Sequence, residues 1–302
     1  MRNDMANILG FKAWILAARP KTLWAAVGPV MIGTAMAQGE GLAHGPVAAA
    51  CLLGAILLQI GTNFSNDYSD FMKGADTPDR VGPARAVASG WITPSQMLIA
   101  TWVTFSLAAL VCGYLVMRGG WPLLALGAIS IAAGLAYTAG PYPLAYRGLG
   151  DLFVLIFFGP VATAGTYYVQ TQAFSWAPVL AGLGPGLLSV AILTVNNLRD
   201  VEGDRKAGKK TLVVRFGPKY GRFQYAACVV LASAIPYAVV ALFAPMRGNT
   251  LMSCLILFAA WPVMRLVFTR TGRDLNPGLG MTALLLLVYS MTFSMGWLMP
   301  AP

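Results

Sequence analysis

The chain is poor in charge and almost empty of the side chains that usually carry metal and acid–base chemistry. Only 11% of its 302 residues are charged, and a soluble domain would carry roughly twice that fraction. It has one histidine, His44, so a histidine-dependent triad would have only that residue to use. Its four cysteines, Cys51, Cys112, Cys228 and Cys254, all lie inside apolar runs, and none makes a CxxC pair. Cysteines so placed behave as small hydrophobes, and neither a zinc nor a haem site is suggested. Acidic residues number only eleven, so where they fall carries information.

What fills the chain is hydrophobic. Apolar residues make up 57% and mean hydropathy is +0.66, which predicts an all-α integral membrane protein. Nine apolar runs are read as spans, at about 20 residues each: 20–38, 46–65, 95–117, 122–140, 151–170, 177–197, 223–244, 250–269 and 279–299. Pro46, Pro122 and Pro178 stand at span starts, where proline costs no hydrogen bond. Pro236 and Pro262 predict kinks. No secretory cleavage signal is visible, so the first run is expected to stay as a helix. The whole chain, 1–302, reads as one transmembrane domain, with polar caps at about 66–94, 141–150 and 198–222.

The net charge of +10 invites a nucleic-acid reading, but its distribution argues against one. Nineteen of the twenty-one lysines and arginines fall on one side of the alternating spans, leaving Arg118 and Arg247 on the other. The positive side faces the cytoplasm. The expected location is the cytoplasmic (inner) membrane, with the N-terminus inside and the C-terminus outside.

Against this background two acidic stretches stand out. The first, Asn63–Gly90, packs Asp67, Asp70, Asp76 and Asp79 into thirteen residues at the end of the second run. The second, Asn196–Asp204, ends the sixth run. If both helices continue, Asn63, Asn66, Asp67 and Asp70 share one side of the first. Asn196, Asn197, Asp200 and Asp204 lie within about 100° of arc on the second. Gly74 and Pro78 are expected to stop the first helix. Both stretches follow even-numbered spans, so they point the same way and hint at a duplicated bundle. Carboxylates at a membrane edge suit a divalent cation and, through it, a diphosphate. Nearby arginines and lysines can take the remaining oxygens of such a substrate. Between the stretches lies YTAGPYPLAYRGLGD, in which Tyr137, Tyr142, Tyr146 and Arg147 are candidates for an aromatic cavity wall. Asp151 reads as a helix cap. The cavity between the helices is expected to be apolar enough for an isoprenoid tail, and water must be kept from any allylic cation formed there.

These motifs closely resemble those of the UbiA superfamily of intramembrane aromatic prenyltransferases over nearly the whole chain. The segments NDYSDFMKGADTPDRVGPARAVASG, YTAGPYPLAYRGLGD and NNLRDVEGDRKAGKKTLVVRFG, with RPKT near the start, resemble the naphthoate-prenylating branch. One departure stands at Gly74, where the superfamily's first motif usually has its third aspartate, so Asp76 is the nearest substitute. The resemblance implies a nine-helix bundle around a central cavity. It implies Mg²⁺-dependent transfer of an all-trans polyprenyl group from its diphosphate to 1,4-dihydroxy-2-naphthoate, with loss of CO₂ and diphosphate. Asp67, Asp70, Asp200 and Asp204 would then carry the metal. Substrates would meet Lys21, Asn63, Asn66, Asp76, Arg80, Arg85, Tyr137, Tyr142, Arg147, Asn197 and Lys210. The rival readings are a sibling enzyme with another acceptor, such as 4-hydroxybenzoate, and an ion-coupled transporter. A transporter would place its acids nearer the middle of the membrane, whereas these stand at one edge.

Overall fold

A computed structural model of the chain describes residues 2–76 and 81–299, with side chains from Gly10 onward. Asp79 and Arg80 lie outside the described residues. Every regular element among the described residues is helical. The helices are α1 Arg2–Ala18, α2 Pro20–Gly39, α3 Gly45–Met72, α4 Pro94–Gly119 and α5 Trp121–Ala136. Next come α6 Gly150–Ile156 and α7 Ala162–Thr171, joined by a π-helical turn at Phe157–Val161, then α8 Trp176–Lys206. The short α9 Leu212–Phe216 leads into α10 Pro218–Phe243. A 3₁₀ stretch, Pro245–Leu255, precedes α11 Ile256–Ala259 and α12 Trp261–Thr269, and α13 Asn276–Leu298 closes the chain.

Among the described residues, seven helical stretches are long and apolar enough to cross a membrane. This makes the protein an integral membrane protein. Two of the nine expected spans do not meet that measure. The helix α5 has 16 residues, which at 1.5 Å each fall short of a hydrocarbon core of about 30 Å. The helix α2 carries Lys21, Gly28, Pro29, Gly33 and Gln38 and packs against α3, α7, α8 and α13, with half its length buried. It is an inner helix, facing protein more than lipid. The expected kink at Pro262 is instead a helix start, since Pro262 opens α12 after a break.

The bundle is built around α8, whose apolar window is 72% buried, against 28–50% for the other six. Its neighbours α10 and α13 run along one flank, and α2 with the π turn along another. The close approach to the π turn depends on missing side chains. Gly182 and Gly186 of α8 meet Gly159, whose backbone leaves helical geometry at φ −125° and ψ −110°. Small residues let two backbones approach where apolar lipid gives helices little reason to associate otherwise.

Two helices extend beyond their apolar runs, and this places the polar motifs. The helix α3 ends in a paired-bond cap: Ala75 N–H donates to Asp70 O and Gly74 N–H to Phe71 O, each at 2.9 Å. Gly74 takes φ +66°, a conformation that costs other residues but not glycine. The helical part of the first motif therefore includes Asp70 and stops two residues later, at Met72. The helix α8 likewise runs to Lys206 and keeps Asn196–Asp204 helical.

A Cβ at Gly182 would meet the backbone of Gly159 and Pro160 at 2.8 Å. Gly182→Ala is expected to lower stability by about 1–3 kcal/mol. Gly113→Ala, on the open face of α4, should be neutral or stabilising by up to about 1 kcal/mol. Thermal unfolding of both variants in detergent checks the contrast, and equal effects would reject the close-approach argument.

Candidate active site

A cavity of about 650 Å³ opens where α2 begins and where α3 and α8 end. Its far end is apolar, with Val30, Cys51, Leu115, Leu123 and Phe158 among its walls. Its mouth is polar, with Lys21, Asn63, Asn66, Asp67, Asp70, Arg85, Asn197 and Asp204 from the sequence-based candidates. Tyr137 also lines it. One end is therefore mostly apolar and the other charged, because each long helix changes character along its length.

Each carboxylate at the mouth has a defined holder. Asp70 is 1% exposed and accepts from three donors: Tyr146 Oη at 2.9 Å, Arg85 Nη2 at 3.0 Å and Lys209 Nζ at 3.1 Å. Lys209 also stands 3.9 Å from Asp204, so one ammonium joins the ends of α3 and α8. Asp67, equally buried, accepts backbone N–H groups of Ala86 at 3.1 Å and Val87 at 3.4 Å. It thereby fastens the cap segment, where Ala86, Val87 and Ile92 pack on Phe64, Ala13 and Ala17. Asp76 stands 3.6 Å from Arg85 Nε, which makes Arg85 a link between two acids of the first motif.

The asparagines hold the helices in register. Asn63 donates to Ala18 O at 2.9 Å and Thr22 Oγ1 at 3.2 Å, tying α3 to the α1–α2 junction. Asn66 accepts from Thr138 Oγ1 at 2.6 Å. Both remain on the cavity wall.

Several expected residues lie elsewhere. Asp200 turns to Arg199, which grips it through two nitrogens at 2.8 and 2.6 Å and also donates to Asn196 and Asn276. Arg199, rather than Asp200, lines the cavity, and it is 3% exposed. Gly82 is needed there, since a Cβ would come within 2.6 Å of that guanidinium. Arg147 and Lys210 line a separate groove, and Tyr142 is an exposed ring beneath Arg147. Asp151 does not cap its own helix but accepts from Gln224 Nε2 at 2.6 Å. Sequence reasoning missed Arg199 and Lys209 as site residues. Both sit in a basic run that the positive-inside pattern already explains, and nothing in that pattern singles them out.

Among the described residues, no three acid, histidine or cysteine side chains converge as a ready metal cluster. Buried carboxylates need donors or cations around them, and here Arg85, Lys209, Arg199 and the cap backbone supply these. The donors at the mouth are carboxylate and amide oxygens, the kind that a hard divalent ion such as Mg²⁺ takes. In donor chemistry the residues fit such an ion.

Tyr146 is the pivot of the first motif. Burial, then the negative charge of Asp70 and the hydrogen bond to it, push the phenol well above its usual range. It stays protonated and remains a donor. Burial lowers the Lys73 ammonium, which the charge of Asp70 partly restores, and Lys73 also donates to Thr138 O.

A helical membrane bundle with a charged mouth over an apolar cavity defines a class of intramembrane enzymes that act on amphipathic substrates. A family model described as the UbiA prenyltransferase family matches residues 26–281. Among curated proteins, the chain is 40% identical to the 1,4-dihydroxy-2-naphthoate octaprenyltransferase of Escherichia coli (strain K12), covering 88% of this chain and 87% of that one. It is 39% identical to the protein of that name from Mycobacterium tuberculosis (strain ATCC 25618 / H37Rv), covering 93% and 95%. Among solved structures, a UbiA homologue from Archaeoglobus fulgidus bound to DMAPP and Mg²⁺ superposes with a TM-score of 0.63 at 17% identity, covering 93% and 99%. The chain belongs to the UbiA prenyltransferase family, and it is a prenyltransferase.

Removing the Tyr146 hydroxyl leaves Asp70 short of one donor. Tyr146→Phe is expected to lower stability by about 1.5–3 kcal/mol, the range for bonds to charged groups, whereas Tyr142→Phe on the exposed ring should be neutral. A tyrosine raised in the folded state contributes stability that is fully present below its ordinary value of about 10 and is lost as pH rises beyond it. The gap between wild type and Tyr146→Phe should thus stay constant to about pH 10 and narrow above it. Denaturant unfolding across pH checks this, and a gap that closes near neutrality would reject the assignment.

Proposed function

We propose that this protein transfers an all-trans polyprenyl group from polyprenyl diphosphate to 1,4-dihydroxy-2-naphthoate, releasing CO₂ and diphosphate and giving demethylmenaquinol, a step of menaquinone biosynthesis. The single observation that carries the reading is the cavity itself, in which buried acids and cations at one end meet a mostly apolar far end. Such a shape takes a charged head and a long hydrocarbon tail. The identity to naphthoate octaprenyltransferases over most of the chain favours the naphthoate over other aromatic acceptors.

Asp67, Asp70 and Asp204 would hold Mg²⁺, Asp200 being turned to Arg199 and off the cavity wall, and a bound ion would supply neutralisation of the charge that develops on the leaving diphosphate. The chain's own groups do the rest. Lys21, Arg85, Arg199 and Lys209 line the mouth and present positive charge to phosphate oxygens. Among the described residues, buried Arg85 Nη1 finds no hydrogen-bond partner, so it is a donor in reserve for such an oxygen. Asn63, Asn66 and Asn197 orient the carboxylates and the head. Tyr137 lies on the wall, beside the acceptor ring. The apolar far wall excludes water while the carbon–oxygen bond of the donor breaks and its electron pair leaves with the diphosphate. The ring carbon bearing the carboxylate then forms the new carbon–carbon bond, and loss of CO₂ returns an electron pair to the ring. Arg80 is a further candidate for diphosphate contact, on sequence position alone.

We also propose a nine-helix crossing, with α2 and α5 as the two less apolar members, and with the mouth on the cytoplasmic side. The segments 66–94, 141–150 and 198–222 form the cap. The support is the basic-residue split and the position of the charged mouth at one end of the bundle.

Two measurements test these readings. Purified protein should convert 1,4-dihydroxy-2-naphthoate with a kcat/KM far above that for 4-hydroxybenzoate with the same donor, identified by product mass. It should need Mg²⁺, and Asp70→Asn or Asp204→Asn should lose on the order of 100-fold in turnover. Equal or reversed acceptor preference would remove the naphthoate assignment. For topology, single cysteines in a cysteine-free background are probed with an impermeant thiol reagent. Cysteines near Gly82 and Gly208 should be protected in intact cells and one after Leu298 labelled, and the opposite pattern would reverse the orientation.

A further inference from the structure

Outside the cavity, a second concavity of about 430 Å³ is lined by Lys73, Tyr146, Arg147 and Lys210, with Pro141 and Pro143. Among the described residues, three cations and no acid line this groove. Among the described residues, neither Arg147 nor Lys210 is paired with a carboxylate. Their backbones are held firmly. Lys210 N–H donates to Tyr146 O at 2.9 Å, and Arg215 Nη2 donates to Arg147 O at 2.6 Å. Gly148, at φ +75°, lies so close that a Cβ would stand 2.6 Å from Lys210 O. Two loops are thus stitched together so that their cations converge without neutralising one another. Like charges placed together in this way raise the local affinity for an anion.

The groove adjoins the cavity through one side chain. The Tyr146 ring has Lys73 Nζ 4.8 Å from its centroid and Lys209 Nζ 5.0 Å from it. Lys73 lines the groove, and Lys209 lines the cavity mouth. An anion released at Lys209 therefore meets Lys73, Lys210 and Arg147 next on its way out. At about 430 Å³ the groove is smaller than the 650 Å³ cavity, and with three cations on its walls it suits a compact, multiply charged anion better than a whole prenyl donor.

We propose that this groove is a second anion site, separate from the cavity mouth, that receives the inorganic diphosphate released by the reaction. The proposal rests on the prenyl-transfer reading for its biological role, but its binding chemistry stands apart from turnover. The protein is placed in phosphatidylcholine nanodiscs with a chelator present, and inorganic diphosphate binding is measured by titration calorimetry. The chelator removes any divalent ion that would bridge the acids of the mouth to the anion, and Lys21→Gln reports whatever binding the mouth retains. One saturable site per chain is expected. Arg147→Gln combined with Lys210→Gln should weaken it on the order of tenfold or more, with an unchanged unfolding midpoint because only exposed side-chain ends are altered. Lys21→Gln, at the cavity mouth, should leave this affinity as it is. Unchanged affinity in the double variant would overturn the proposal, as would loss of binding in Lys21→Gln. It would equally fall if the variants differed from wild type only in discs containing phosphatidylglycerol, since the groove would then be reading lipid headgroups. If diphosphate binds as expected while the acceptor assay yields no product, the prenyl-transfer reading fails and the anion site remains.

Discussion

A carboxylate buried at a membrane edge must be surrounded by donors, and the cap of this protein is arranged around that requirement. Asp70 gathers a tyrosine, an arginine and a lysine from three separate segments of the chain. Asp67 gathers two backbone N–H groups from Ala86 and Val87, in the same segment as that arginine. Each of these partners is brought in by a loop that has little other reason to lie where it does. The segment after α3 folds back because Arg85, Ala86 and Val87 answer the two acids. The turn at Tyr146 and the loop at Lys209 converge because Asp70 accepts from both. Leaving such a carboxylate without donors would cost several kcal/mol, more than any single surface contact returns. The acids therefore act as organisers of the cap as well as candidates for chemistry.

That arrangement depends on helices that carry polar residues out of the apolar layer without breaking. The helix α3 is 28 residues long and α8 is 31, both well beyond the roughly 20 needed to span. Their extra turns hold the motifs rigidly, so the register of Asn63, Asn66, Asp67 and Asp70 is fixed by helix geometry alone. Rigidity at the mouth is matched by tight packing below it. The glycine contacts between α8 and the π turn bring backbones together where side chains would force them apart. The same turn places Phe157 and Phe158 on the apolar wall.

Much of this was legible in the sequence, and the parts that were not share a cause. Helix type, the continuation of both spans into their acidic ends and the stop at Gly74 follow from short-range rules of periodicity and backbone conformation. These rules succeed because they concern a residue and its neighbours one turn away. The partner of Asp200 was not legible, because angular position on a helix says which residues share a face but not which neighbour's guanidinium will claim a carboxylate. The role of Lys209 was hidden in a run of basic residues whose membrane-topology signal was sufficient explanation by itself. Tyr142, Arg147 and Lys210 were grouped with the cavity by their place in the sequence, yet the turn at Gly148 directs them to its outer side. The count of strongly apolar spans came out lower than expected. Packing against protein buries Gly28, Pro29 and Gly33 in the middle of α2, while its Lys21 and Gln38 stand exposed near the two helix ends, so the helix is less apolar than a lipid-facing span.

The balance of charge at the mouth then bears on how the cavity can work. Asp70 and Asp204 are already joined through one ammonium, so the distance between the two acidic ends is set before any substrate arrives. A divalent ion held there would share the oxygens that Lys209 now holds. Lys209, with a four-carbon stem and three donors, would stay within reach of a phosphate at the mouth. Its positive charge would then serve the substrate's head instead of the protein's acids without movement of a helix. Occupancy of the acidic site would be coupled in this way to the readiness of the basic one, next to an apolar wall where an unneutralised diphosphate is strongly disfavoured.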